Sequence, residues 1–166
     1  MPTALVIPVP EAQDLVARLR GGPGPPAHIT LVYPFVGVAD LTTEVMSALT
    51  ERFAAYPAFD YRLERTTRFL DVLFLDPEPD DQFRGLIRAL GADDPRRGRP
   101  PYPLEVTDIR PHVTVTRSDD PDALRRAEAE IGSVLPIECR APEAWIVAEE
   151  PSGSWRVDAR FPLGRA

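Results

Sequence analysis

Hydrophobic positions form a short run over Ala4–Val9, as in a strand. They then recur at Ala12, Leu15, Val16 and Leu19, a spacing that predicts a helix over Glu11–Arg20. After a break come a strand over His28–Phe35 and a helix over Thr42–Tyr56, with Val45, Leu49 and Phe53 four residues apart. Phe59–Glu64 is the next strand. The order then repeats: a strand at Val72–Leu75, a helix at Asp80–Leu90 with Phe83, Leu86, Ile87 and Leu90 inward, and a strand at His112–Arg117. Asp120-Pro121 opens another helix, since Asp caps and Pro suits the first helical position; it is expected to reach about Leu135. Strands at Ile137–Arg140, Ala144–Glu149 and Trp155–Phe161 finish the chain, the last two joined by a turn at Ser152-Gly153-Ser154.

Each half therefore reads strand, helix, loop, strand, helix, strand. The loops before the fourth elements are rich in proline: Gly21-Gly22-Pro23-Gly24-Pro25-Pro26 in the first half and 94–103 in the second. A repeat of this length is too long for a solenoid and suggests two similar lobes related by a pseudo-two-fold axis.

The chemistry sits at equivalent places of this repeat. The chain has two histidines, and both open the same pattern: His28-Ile29-Thr30-Leu31 and His112-Val113-Thr114-Val115. Chance placement of both has a frequency of about 3 in 10,000 on composition alone. Side chains alternate along a strand, so His28 and Thr30 project from one face about 6.7 Å apart, and His112 and Thr114 do the same. Ile29, Leu31, Val113 and Val115 turn to the core. A pseudo-two-fold axis would bring two imidazoles and two hydroxyls around one groove. Hydroxyls can donate to phosphate oxygens, while one imidazole accepts a proton from water and the other donates to a leaving oxygen. Imidazole serves both roles near neutrality, and this scheme requires no metal.

Composition limits the alternatives. The chain has 166 residues, 43% of them hydrophobic, enough for one domain or two small lobes with a shared core. Its formal net charge of −7 argues against holding an extended nucleic acid but leaves a mononucleotide or an RNA end open. Cys139, the one cysteine, excludes an intrachain disulfide and reads as a buried inert thiol. The sequence shows neither a signal peptide nor an apolar run of membrane-spanning length, so a soluble, cytoplasmic protein is expected. Two histidines and one cysteine make a zinc site implausible, and neither a phosphate-binding P-loop nor a Gly-x-Ser-x-Gly elbow occurs.

At these residues the chain resembles the two-histidine (2H) phosphoesterase superfamily, which includes bacterial 2′-5′ RNA ligase-like proteins and cyclic phosphodiesterases. The paired His–apolar–Thr–apolar copies carry the resemblance. Tyr33-Pro34-Phe35, Arg110-Pro111 and the late Trp155…Phe161-Pro162-Leu163 segment add to it. The resemblance implies an α+β, bilobal fold spanning 1–166, with antiparallel sheets lining a central groove and helices outside. It implies His28 and His112 as the acid–base pair and Thr30 and Thr114 as phosphate ligands. It also implies 2′,3′-cyclic phosphates or 2′-5′ linkages of nucleotides or RNA ends as substrates, with reverse ligation in some relatives. No cofactor is expected, and the protein is expected to act as a monomer. The rival reading is a non-catalytic module that uses the same groove to bind a nucleotide or RNA end.

Secondary candidates carry less. Arg96, Arg97 and Arg99 form the one dense basic cluster, read as a solvated loop that could also reach a phosphate. Strand parity assigns Tyr33 and Phe35 to the core unless a bulge intervenes. Tyr102 is the better stacking candidate, Trp145 is expected in the core, and Trp155 in the core or at a rim. Arg117 is expected to escape at its strand's end.

Overall fold

A computed structural model describes residues 3–93 and 110–165, with only the backbone of 91–93. The cluster Arg96, Arg97 and Arg99, and Tyr102, lie outside the described residues. The elements are β1 (Thr3–Pro8), α1 (Gln13–Arg20), β2 (His28–Val32), α2 (Thr43–Ala54), β3 (Phe59–Phe69), β4 (Val72–Glu78), α3 (Asp81–Asp93), β5 (Val113–Arg117), α4 (Pro121–Gly132), β6 (Ile137–Ala141), β7 (Glu143–Glu149) and β8 (Trp155–Pro162).

Local sequence explains their boundaries. Gly21 adopts φ +72°, a left-handed conformation that ends α1 at little steric cost. The Thr42 hydroxyl accepts from the Val45 N–H at 3.2 Å and starts α2. Asp120 accepts from the Asp122 N–H at 3.0 Å ahead of Pro121, as the sequence leads one to expect. That helix stops at Gly132, short of Leu135, because its last turn closes at Ser133 and Val134. The strand expected over Phe59–Glu64 continues to Phe69, since pairing with β4 carries polar residues through the hairpin.

The fold is α+β, with two antiparallel four-stranded sheets in the orders β2-β1-β7-β8 and β5-β4-β3-β6. The two orders correspond position by position, with β2 matching β5 and β1 matching β4. The lobes are not the two halves of the sequence, however. β3 leaves the first half to join the second sheet, and β7 returns to the first. Helices cross as well: α1 packs on β5, and α3 packs on β2. One continuous core results, taking Leu15 and Val16 from α1, Leu49 and Phe53 from α2, Phe83 and Leu86 from α3, and Leu124 and Ile131 from α4.

The C-terminal segment is pinned to the end of α2. Gly164 N–H donates to the Tyr56 carbonyl at 2.6 Å, and a Cβ at Gly164 would lie 2.5 Å from the Ala54 carbonyl oxygen. Backbone on both sides leaves little room to yield. Gly164→Ala is expected to cost about 1–3 kcal/mol, read as a lowered Tm.

Cys139 is buried among core residues, and burial pushes its thiol up to about 12, so it stays protonated and inert.

Candidate active site

Both motif strands are edge strands of their sheets, and they pack against each other where the sheets meet. Ile29, Leu31, Val113 and Val115 are buried in the shared core. His28, Thr30 and His112 are half-buried, and Thr114 is exposed. Alternation thus sorts the motifs as their spacing requires: aliphatic residues inward, imidazoles and hydroxyls outward.

Each motif strand also carries a bulge at the same place. Val6 pairs with Thr30 but Leu5 pairs with Val32, leaving Leu31 as the extra residue. Phe74 pairs with Thr114 but Leu73 pairs with Thr116, leaving Val115. A bulge adds local twist and commonly re-aims side chains beside a site. It also breaks the parity used for Tyr33. The strand ends at Val32 rather than Phe35, and Tyr33 is 59% exposed, whereas Phe35 is buried as expected. Arg117 is exposed at its strand end and faces Asp71 at 3.7 Å.

The imidazoles are held alike. His28 Nδ1–H donates to the Pro26 carbonyl at 2.7 Å, and His112 Nδ1–H donates to the Arg110 carbonyl at 2.8 Å. A carbonyl oxygen can only accept, so Nδ1 carries the proton in both rings and Nε2 is left for chemistry. Among the described residues neither Nε2, nor the hydroxyl of Thr30 or Thr114, has a hydrogen-bond partner.

An arginine braces the segment that carries each of these carbonyls. On the first side, Arg20 donates to the Gly22 carbonyl at 3.0 Å and the Pro25 carbonyl at 2.6 Å, and the Ala27 N–H donates to Gln13 Oε1 at 2.6 Å. The Gly/Pro loop is thereby fixed just before His28. On the second side, Arg110 holds Asp76 with two nitrogens, Nε to Oδ1 at 3.0 Å and Nη2 to Oδ2 at 2.6 Å. Thr67 donates to Asp76 Oδ2 at 2.5 Å and accepts from Arg110 at 2.9 Å. Asp76 is only 8% exposed and sits on β4. The Phe74 ring lies 4.9 Å from the His112 ring and limits its tilt.

The electrostatics of the two rings are linked. His28 is held below the usual imidazole value of 6.5, mainly by burial, with the charges of His112 and Arg20 adding and the Pro26 hydrogen bond opposing. A charge on His112 therefore works against a charge on His28. His28 favours the neutral form, with a free Nε2 lone pair. Arg20 places positive charge near the His28 imidazole, whereas the Arg110 charge is met by Asp76.

Sequence reasoning brought His28, Thr30, His112 and Thr114 forward, and the structure places them on or next to β2 and β5, the edge strands that meet where the sheets join. It missed Asp76, Thr67 and Phe74. Trp145, expected in the main core, is instead half-buried in a small separate cluster with Ala4, Val6, Val147, Trp155 and Val157. Among the described residues no three His, Cys, Asp or Glu side chains gather so as to hold a metal ion. No helix among them is long and apolar enough to cross a membrane. Two open surface depressions, beside α2 and at the β3–β6 edge, contain neither histidine.

Comparison with known proteins agrees with this fold. The profile of the 2′-5′ RNA ligase superfamily matches residues 8–153. The fold is similar to TT0787 of Thermus thermophilus, with 22% identity, a TM-score of 0.67 and 99% of each chain covered. It is also similar to E. coli LigT complexed with 3′-AMP, with 18% identity, a TM-score of 0.62, and 98% of this chain and 97% of that chain covered. For LigT complexed with ATP the identity is 19% and the TM-score 0.63, over 99% and 98% of the two chains. No curated protein matches the chain by sequence.

Proposed function

The chain belongs to the 2′-5′ RNA ligase superfamily, and from that premise we propose that it is a metal-independent phosphodiesterase that opens 2′,3′-cyclic phosphates, or cleaves 2′-5′ linkages, in nucleotides or RNA ends. Membership supports a phosphoesterase-type role. The observation that carries the finer reading is the matched pair of imidazoles, each with Nδ1 committed to a carbonyl and Nε2 free, beside a threonine hydroxyl.

In this mechanism Thr30 and Thr114 donate to the non-bridging oxygens of the phosphate. His28, kept neutral by its surroundings, takes a proton from water at Nε2 as that water attacks phosphorus. The bond from phosphorus to one ribose oxygen breaks, and His112 gives its Nε2 proton to that oxygen. The product is a phosphate monoester with a free neighbouring hydroxyl. For the return to the starting state, His28 loses its proton and His112 regains one. LigT, solved with 3′-AMP and ATP, makes small nucleotides the first substrates to test.

The deciding assay is turnover of 2′,3′-cyclic nucleotides with EDTA present. Turnover is expected to persist in chelator. Saturable nucleotide binding without turnover of cyclic or 2′-5′-linked substrates would replace the enzyme by a binding module.

The assignment of base and acid has its own test. The acid limb of kcat/KM against pH reports the free enzyme's base. It is expected below the free-imidazole value of 6.5, because His28 is depressed. The same depression links to folding. The advantage of neutral His28 is fully present above 6.5 and is lost as pH falls through its lower folded value. An acid limb above 6.5 would remove His28 as the base.

A further inference from the structure

The row of paired residues that begins at Thr30 does not end at the reacting centre. Val6 is the partner of Thr30 on one side and of Trp145 on the other, and Trp145 is the partner of Arg160. Directly paired residues share a sheet face. Thr30, Val6, Trp145 and Arg160 therefore form one row across all four strands of the first sheet. With strands about 4.8 Å apart, Trp145 stands about 10 Å from Thr30. A nucleoside whose phosphate is held at Thr30 can lay its base over that distance.

The far end of the row is built as a plate. The Arg160 guanidinium lies over the Trp145 ring, 4.4 Å from its centroid. Glu143 Oε1 accepts from Trp145 Nε1 at 2.7 Å and from Arg160 Nη1 at 3.2 Å, so one carboxylate holds both groups. Beneath them lie Val6 and Val147, outside the main core. The Arg160 side chain is still about half exposed, at 56%. Its charge is partly met by Glu143, which weakens it as a phosphate hook. Its planar face remains, and planar cations and indoles stack well on bases.

We propose that Trp145 and Arg160, braced by Glu143, form a stacking plate for the nucleobase attached to the phosphate held between the histidines. The inference rests on the phosphodiesterase reading above and sharpens it: the preferred substrate carries a base, and one plate serves one base. The acidic character of the chain fits a single nucleotide or a terminal one better than a tracked strand.

The test compares kcat/KM for adenosine 2′,3′-cyclic phosphate with that for glycerol 1,2-cyclic phosphate, which has the reacting ring but no base. In Arg160→Met and Trp145→Leu the ratio of the two is expected to fall about 5- to 150-fold, mostly through KM for the nucleotide. General damage to the fold would lower both rates and leave the ratio unchanged, which would overturn the plate. A second measurement needs no turnover. In Trp155→Phe, where Trp145 is the remaining indole, 3′-AMP is expected to quench tryptophan fluorescence saturably, and Arg160→Met in that background is expected to weaken the quenching. Quenching without turnover of any cyclic phosphate would sink the enzymatic reading and keep the plate. Turnover with an unchanged ratio and no quenching would sink the plate and keep the enzyme.

Discussion

His28→Ala and His112→Ala are each expected to lower kcat on a 2′,3′-cyclic nucleotide by about 100- to 10,000-fold. The site gives two reasons for an effect of this size. Each ring has its Nδ1 proton fixed on a carbonyl, at 2.7 and 2.8 Å, so its Nε2 is aimed and in the required tautomer before substrate arrives. In the proposed reaction each then moves one of the two protons required. The double variant is expected to be little worse than the poorer single one, because two groups acting in one step do not contribute additively. The pH profile separates the roles further. His28→Ala should abolish the acid limb, whereas His112→Ala should leave it in the residual rate. Wild-type kcat in either variant would remove acid–base catalysis by that residue.

The second large effect is expected away from the reacting atoms. Asp76→Ala should lower kcat about 10- to 100-fold while changing KM much less. Asp76 acts through Arg110. Two hydrogen bonds fix the Arg110 side chain, and its backbone carbonyl orients His112. Without the carboxylate, Arg110 and Thr67 lose their common anchor, and the turn that leads into β5 loses its register. Stability is expected to fall by about 1–3 kcal/mol as well, since the mostly buried carboxylate to which both Thr67 and Arg110 donate is lost. Asp76→Asn keeps one acceptor and should fall between wild type and alanine in both measurements. A stability loss with unchanged kcat would make the clamp a structural feature only.

Much of the site was legible in the sequence because its information is local. Two short motifs with a period of two state which side chains point outward and which pack, and burial of Ile29, Leu31, Val113 and Val115 follows that rule. Elements with strong periodicity or clear caps, such as α2 and α4, were also readable. What was hidden depends on register. Asp76 directly follows the apolar run Val72–Leu75, and a carboxylate next to such a run within a strand is a signal of a required buried partner. That the partner is Arg110 follows only from the pairing of β4 with β5. Tyr33 was misplaced for a related reason: the bulge at Leu31 and the strand end at Val32 cancel the parity on which its core position relied. Trp145 reads as core in the sequence because it is flanked by apolar residues, but its strand has two apolar faces and the indole is on the smaller one.

The crossing of β3 into the second sheet, with β7 returning to the first, bears on how a substrate gets in. Two bodies that trade strands and bury each other's helices cannot swing apart like the jaws of a clamp without tearing hydrogen-bonded ladders on both sides. Any substrate of the proposed reaction is therefore expected to enter and leave with β2 and β5 kept together. For the proposed reaction, kcat is expected to be insensitive to viscosity as far as the described residues set it, because the two sheets need not part in each cycle.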